Sequence, residues 1–309
     1  MVIGRKRGDR KGKPMASYIP RVAAIHDLSG YGRNSLSVVI PILSTMGCQA
    51  VALPTAVLST HTGGFDGYAF EDLTGFMKKA IDHWMKLDIN FHCVYSGFLG
   101  SPAQVELVSG FIEMQHKNQP LVIVDPVLAD DGRLYATMDM EMVGGMKALI
   151  RRADVITPNL TEAALLLGKE YREDIGEETL KEWLVSLADM GPETVVITSA
   201  PISGKGKDIS VVAYSRSSGH FWRAPCVYIP ANYPGAGDVF TSVLTGSLLQ
   251  GDSLPVALDR GVQFVTQAIR ASYGFDYPRR DGVLLEKVLS SLNGPVLLSS
   301  YEWLDERDE

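Results

Sequence analysis

Residues 92–126 read HCVYSGFLGSPAQVELVSGFIEMQHKNQPLVIVDP, and their pattern decides the fold. His92–Ser96 is a short apolar run of strand character. Pro102–His116 follows, opening on a proline that suits the first turn of a helix, where the missing N–H is not needed. Leu121–Asp125 is again an apolar β-rich run, and it ends on a carboxylate. Strand, helix and strand in close succession make a crossover unit, so the two strands run parallel.

The alternation continues in both directions. Val22–His26, Cys48–Leu53, Val155–Thr157 and Thr194–Thr198 read as strands. Ser35–Met46, Phe70–Met85, Met138–Ile150, a stretch from Thr161 and Glu177–Met190 read as helices. The pattern predicts an α/β protein with a three-layer, doubly wound, mostly parallel sheet flanked by helices. It then changes. Ile209–Ser215 and His220–Pro225 predict an antiparallel pair around Ser217-Ser218-Gly219, a small β excursion. Val239–Gln250, Pro255–Ala271 and Gly282–Leu292 predict helices. With no internal repeat and no long linker, residues 21–309 read as one domain.

Composition narrows the functions. The 309 residues are 46% hydrophobic and 21% charged, as in ordinary globular proteins. A net charge of −7 argues against nucleic-acid binding, which needs a basic face, but leaves room for a small anion. Cys48, Cys93 and Cys226 match no zinc or redox spacing and read as reduced thiols of a cytoplasmic protein. No apolar run reaches the ~20 residues of a membrane span, and the N-terminus lacks a signal-peptide core. Residues 1–20 carry Arg5, Lys6, Arg7, Arg10, Lys11 and Lys13 among glycines and read as a disordered basic tail, with Met15 an alternative start.

Ligands of open α/β sheets bind beyond the carboxyl ends of the strands. Several segments there could carry chemistry. In Pro234-Gly235-Ala236-Gly237-Asp238-Val239-Phe240 two glycines precede a helix. Backbone N–H groups and the helix dipole would form an anion hole, with Asp238 in the first turn as a base for a hydroxyl attacking phosphorus. A helix start with a stabilising aspartate is the plainer alternative. In Thr157-Pro158-Asn159-Leu160-Thr161-Glu162, Asn159 and Glu162 can face the same way at a helix start, either as caps or beside a magnesium ion. Asp125-Pro126-Val127 places a carboxylate at a strand end, suited to magnesium or phosphate, ahead of a turn at Ala129-Asp130-Asp131-Gly132-Arg133 that could cover a nucleotide. His26-Asp27-Leu28-Ser29-Gly30-Tyr31-Gly32-Arg33-Asn34 follows the first strand, and Thr55 with Ser59-Thr60-His61-Thr62-Gly63-Gly64 follows the second. Their polar groups suit a small organic substrate. His26 and His61 can equally be structural. No glycine fingerprint of a dinucleotide site follows any strand, which removes a dinucleotide-dependent oxidoreductase.

Together these segments resemble the ribokinase-like superfamily, and within it the pyridoxal (vitamin B6) kinases, from about Arg21 to Leu292. The Gly-Ala-Gly-Asp segment at 235–238 is the most specific mark. Ser96-Gly97-Phe98-Leu99-Gly100-Ser101 and Thr55-Ala56-Val57-Leu58-Ser59-Thr60-His61-Thr62 are similar to pyridoxal kinase segments. The resemblance implies ATP-dependent phosphorylation of the 5′-hydroxymethyl group of a B6 vitamer, with Mg2+, a homodimer, and activation by a monovalent cation such as K+. It assigns Asp238 as base and the N–H groups of Gly235, Ala236 and Gly237 as phosphoryl stabilisers. It sets Asp125 and Glu162 near magnesium and the ATP phosphates, Thr157, Asn159 and Thr198 near the nucleotide, and Ser29, Thr55 and His61 at the pyridine ring. The first loop departs from the family's Ser-x-Val-x-x-Gly, having Asp27-Leu28-Ser29-Gly30-Tyr31-Gly32 instead. Asp27 and Ser29 are both candidates for the ring substituents, and an acidic Asp27 favours the amine of pyridoxamine. The alternatives are a hydroxymethylpyrimidine kinase, another small-molecule kinase of the superfamily and, in a different class, a vitamer-binding protein without turnover.

Overall fold

The computed structural model describes residues 19–201, 209–295 and 301–304. The basic cluster of the expected tail lies outside them. The chain runs through β1 (Arg21–Ser29), α1 (Leu36–Thr45), β2 (Gln49–Leu58), β3 (Phe70–Asp72), α2 (Thr74–Lys86), β4 (Cys93–Ser96) and α3 (Pro102–Met114). It continues through β5 (Leu121–Val124), β6 (Ala129–Asp130), β7 (Arg133–Leu134), α4 (Met140–Ile150), β8 (Val155–Ile156), α5 (Leu160–Leu167) and α6 (Glu177–Asp189). The last elements are β9 (Thr194–Pro201), β10 (Ile209–Ser215), β11 (Phe221–Pro225), α7 (Ala236–Gln250), α8 (Leu254–Tyr273) and β12 (Glu302–Trp303).

A ten-stranded sheet carries this order: β12-β11-β10-β9-β8-β5-β4-β1-β2-β3. The run from β2 to β9 is parallel. Antiparallel strands close both ends. The period of two along β1 shows why the sheet is covered on both faces. Ala23 and Ile25 point into one apolar layer with Met77 of α2, Val108 of α3, Met146 of α4 and Leu184 of α6. Val22 and Ala24 point into the other, with Val39 of α1, Val243 of α7 and Leu258 of α8. This is the three-layer, doubly wound arrangement expected from the alternation.

Four local expectations are corrected. First, β1 pairs with β2 out to Ser29 and Leu58 across an irregularity at His26/Leu28. Asp27, Ser29 and Thr55 therefore lie within strands rather than in the loops after them. Ladder hydrogen bonds to a parallel neighbour outweigh the turn preference of Asp and Ser. Second, Phe70–Asp72 is an edge strand on β2, not the start of a helix. Asp72 takes the Thr74 N–H at 2.9 Å, so α2 starts only at Thr74. Third, the antiparallel pair is no separate excursion, because β10 also pairs with β9 and extends the main sheet. Fourth, Gly282–Leu292 forms short 3-10 turns rather than a helix. Gly282 has φ +81°, and Leu284 N–H is taken by the Ser272 hydroxyl at 2.8 Å.

Helix α7, which carries the Gly-Ala-Gly-Asp segment, is seated by close approaches. A side chain at Gly261 of α8 would meet the Phe240 ring at 2.7 Å. Gly261→Ala should raise helix propensity by about 1 kcal/mol but overpack a buried ring at about 1–3 kcal/mol. Crowding wins, because Phe240 is buried and its ring has no flexible end to move aside. The variant should lose about 1–2 kcal/mol, read from the urea midpoint. An unchanged or raised midpoint would mean that the α7–α8 crossing is slack.

Candidate active site

Gly235 precedes α7 with φ +83°, and a Cβ there would lie 2.4 Å from the Arg33 carbonyl oxygen. Only glycine allows both the left-handed turn and the approach. The turn points the first N–H groups of a 15-residue helix, which have no partner inside the helix, toward the carboxyl edge of the sheet. Asp238 sits in that first turn and is buried. One of its oxygens, Oδ2, accepts the Ser35 N–H at 3.0 Å. The other, Oδ1, lies 3.8 Å from His26 Nδ1. Burial pushes the Asp238 carboxyl up to about 7; the Ser35 N–H opposes this and the charge of Asp27 adds to it. A carboxylate poised near neutrality at a helix N-terminus is suited to taking a proton from a hydroxyl.

Ser35 was not legible as a functional residue. It holds φ +49°, an uncommon conformation for a non-glycine residue, and in it the N–H reaches Asp238. Nearby, the Ser29 hydroxyl donates to Asp27 Oδ2 at 3.1 Å, joining the two residues into one buried polar unit. Burial raises the Asp27 carboxyl, while the hydroxyls of Ser35 and Ser29 hold it down. Asp27, Ser29, Ser35 and Asp238 thus form one group.

The second group surrounds Asp125 at the end of β5. Its carboxyl is held well above the usual range by burial, then by the charges of Glu162 and Asp238, with the Thr157 and Thr241 hydroxyls opposing. Thr241 donates to Thr157 at 3.1 Å. Glu162 closes a capping box at the start of α5. Its Oε2 accepts the Asn159 N–H at 2.9 Å and its Oε1 accepts the Leu128 N–H at 3.0 Å. Burial nevertheless pushes Glu162 up to about 8. The Asn159 side chain is occupied at both ends, by Glu162 N–H and the Ala129 carbonyl. Thr198 bridges to Asn159 and donates its N–H to the Pro158 carbonyl at 2.9 Å.

This donor set fits a magnesium ion in part. Two buried carboxylates that feel each other's charge are hard oxygen donors whose repulsion a divalent cation would relieve. Both Glu162 oxygens already accept backbone N–H groups, so Asp125 is the better direct ligand and Glu162 acts through its charge. Among the described residues no three metal-ligating side chains converge. Water and phosphate oxygens would complete the shell.

The remaining candidates hold the site together from the side. The Thr55 hydroxyl donates to the Phe98 carbonyl at 3.0 Å. His61 Nδ1 accepts the Gly63 N–H at 3.1 Å, which leaves the proton on Nε2, 2.6 Å from the Arg280 carbonyl. Its ring nitrogens are therefore spent within the protein. Arg280 in turn lies over Phe65 at 4.6 Å and donates to the Gly64 carbonyl at 3.1 Å. Tyr31 donates to Asp281 at 2.9 Å. This clasp between residues 31–33, 61–65 and 279–281 was missed, because no local pattern announces partners so far apart in the chain. Gln104, fully buried and bonded to Thr55, Asp72 and Thr74, was missed too, although Ser101-x-x-Gln104 is a helix-start signature.

A glycine-built helix N-terminus, a buried carboxylate in its first turn and a further pair of buried carboxylates at Asp125 and Glu162 are those of a ribokinase-like small-molecule kinase. The chain belongs to the phosphomethylpyrimidine kinase family, which it matches over residues 40–281. It is 53% identical, with a TM-score of 0.90, to a structure named for a phosphomethylpyrimidine kinase of Bacteroides thetaiotaomicron in a crystal form with pyridoxal, covering 93% of this chain and 100% of that one. It is 31% identical to the crystal structure of pyridoxal kinase from Lactobacillus plantarum, with a TM-score of 0.80 over 89% of this chain and 97% of that one. It is also 30% identical to pyridoxal kinase PdxY of Actinobacillus pleuropneumoniae over 237 residues, 74% of this chain and 80% of the relative. The resemblance read from the motifs is thereby borne out.

The raised Asp238 carboxyl has a stability consequence. The folded state holds this proton more tightly than the unfolded chain. The group's contribution is therefore full below the ordinary carboxylate range and is lost as pH rises through about 7. Asp238→Asn keeps an oxygen for the Ser35 N–H and removes the buried charge. Without nucleotide it should gain stability over the wild type on going from about pH 5 to about pH 8, by on the order of a few kcal/mol. Thermal unfolding across that range checks this, and a difference independent of pH would contradict it.

Proposed function

We propose that this protein transfers the γ-phosphoryl group of ATP to the 5′-hydroxymethyl group of pyridoxal, pyridoxine or pyridoxamine. The observation that carries the reading is the Asp238 carboxylate, buried beside the open N–H groups of α7 and raised to about 7. Kinship with pyridoxal kinases supports the substrate class. In the reaction Asp238 takes the hydroxyl proton, the freed oxygen bonds to phosphorus, and the bond to the leaving ADP oxygen breaks. The N–H groups of Gly235, Ala236 and Gly237 stabilise the charge on the transferring group. Asp125, with Glu162 behind it, would hold Mg2+, which lowers the repulsion between phosphate oxygens when bound. Thr157, Asn159 and Thr198 border the nucleotide. Asp27 and Ser29 meet the ring substituents, while Thr55 and His61 shape the wall. The resemblance further supports a homodimer, activation by a monovalent cation and a cytoplasmic location. No helix among the described residues is long and apolar enough to cross a membrane.

A second reading, phosphorylation of a hydroxymethylpyrimidine, is favoured by the buried Asp27, whose carboxylate could accept from the exocyclic amine of an aminopyrimidine. Pyridoxamine also carries an amine.

Purified protein with Mg-ATP and a panel of the three vitamers and hydroxymethylpyrimidine tests both readings. A 5′-phosphate product from at least one vitamer is expected, and none from any vitamer would overturn the first reading. Asp238→Asn should lower kcat by about 10²–10⁴-fold while ATP still binds. Near-normal turnover would remove Asp238 from the base role. Asp125→Asn should raise the Mg2+ concentration needed for half-maximal rate. Asp27→Asn should reduce kcat/KM for pyridoxamine more than for pyridoxine. Equal losses would release Asp27 from recognising the amine.

A further inference from the structure

His26 lies in β1 with no solvent exposure. Neither ring nitrogen has a hydrogen-bond partner. Leaving a buried polar group unsatisfied is costly, and an apolar ring would fill the same space without that cost. The pocket is nevertheless fitted to the imidazole. A Cβ on Gly97 would lie 2.2 Å from Nδ1 and 2.5 Å from Cε1, so only glycine leaves room for the ring there. The Tyr95 ring packs edge-on at 4.4 Å, fixing its plane. What Nδ1 faces is Asp238 Oδ1, 3.8 Å away, the oxygen opposite the one held by Ser35. Burial drives the imidazole down to about 3, so it is neutral at any working pH. A neutral ring facing a carboxylate through Nδ1 carries its single proton there.

We propose that His26 is a positioning residue for Asp238, donating Nδ1–H to Oδ1 as the substrate hydroxyl arrives. Hydrogen bonds at catalytic groups are often long before substrate binds and tighten in the complex, and the gap to close here is about 1 Å. Ser35 N–H on one oxygen and His26 Nδ1–H on the other fix the plane of the carboxylate, so that its remaining lone pairs meet the incoming O–H. The donor also favours the charged form of a group that burial would otherwise keep protonated. The other titratable groups acting on Asp238 are Asp27 from β1 and Asp125 from β5. Tyr95 from β4 and Tyr135 from the segment after β7 feel its charge. None of these donates to Oδ1. The proposal rests on the reading of Asp238 as base.

The test compares His26→Leu, His26→Asn and His26→Gln with the wild type, by kcat and KM across about pH 5–9. Leucine fills the pocket without a donor. Asparagine sets an amide N–H near the Nδ1 position, and glutamine sets one near Nε2. His26→Leu should lower kcat about 10–100-fold with the KM for ATP unchanged. It should also move the acidic limb of kcat/KM upward by about one pH unit. His26→Asn should recover part of the rate and return the limb toward the wild-type position, while His26→Gln should not. If all three variants share the wild-type limb, His26 is packing alone and the proposal falls. If His26→Leu does not fold, equal behaviour of His26→Asn and His26→Gln overturns it just as well. Asp238→Asn assayed alongside separates the two levels: its retaining turnover sinks the base assignment, whereas its inactivity beside an unperturbed His26→Leu sinks only the present proposal.

Discussion

A carboxylate sits out of water at the positive end of α7, and in the proposed reaction it must still be able to lose its proton. Burial alone would keep Asp238 neutral, and a neutral acid cannot accept a proton. The balance is struck by the Ser35 N–H and the adjacent helix terminus, both of which favour the charged form against burial. Holding Ser35 in reach requires its positive φ, and seating Gly235 against the Arg33 carbonyl requires the absence of a side chain. The first loop and the start of α7 are thus one unit, although they lie 203 residues apart in the chain.

The second carboxylate pair answers a different problem. Asp125 and Glu162 raise each other's cost of ionisation, a cost that the cation of the proposed reaction would relieve. The capping box at Asn159 lowers the cost of ionising the buried Glu162, since its oxygens accept backbone N–H groups, although burial still holds the carboxyl up at about 8. Structure and chemistry share this residue. A cap that only stabilised α5 would serve as well on the solvent side.

The layered sheet could be read from the sequence, because each strand of the parallel core is too apolar to face water on either side and each helix has an apolar stripe. Strand ends could not. Asp27, Ser29 and Thr55 look like loop residues, yet β1 and β2 resume pairing beyond the irregularity where Asp27 and Thr55 sit, and run on to Ser29. The Phe70–Asp72 edge strand was hidden for the same reason, being set by its pairing partner rather than by its own composition. Asp238, Asp125 and Glu162 were visible because short-range rules, two glycines before a helix or a carboxylate at a strand end, announce them. Ser35 and the clasp around Arg280 were not, since they depend on backbone strain and on partners on the far side of the chain.

That clasp sets an order on the birth of the molecule. His61 and Tyr31 are synthesised early, while the residues they grip, Arg280 and Asp281, come 219 and 250 positions later. A nascent chain can stack its parallel strands as they emerge from the ribosome, but the clasp stays open until nearly the whole polypeptide has left the tunnel. Truncated or stalled products would own a sheet and a glycine-rich loop without this clasp.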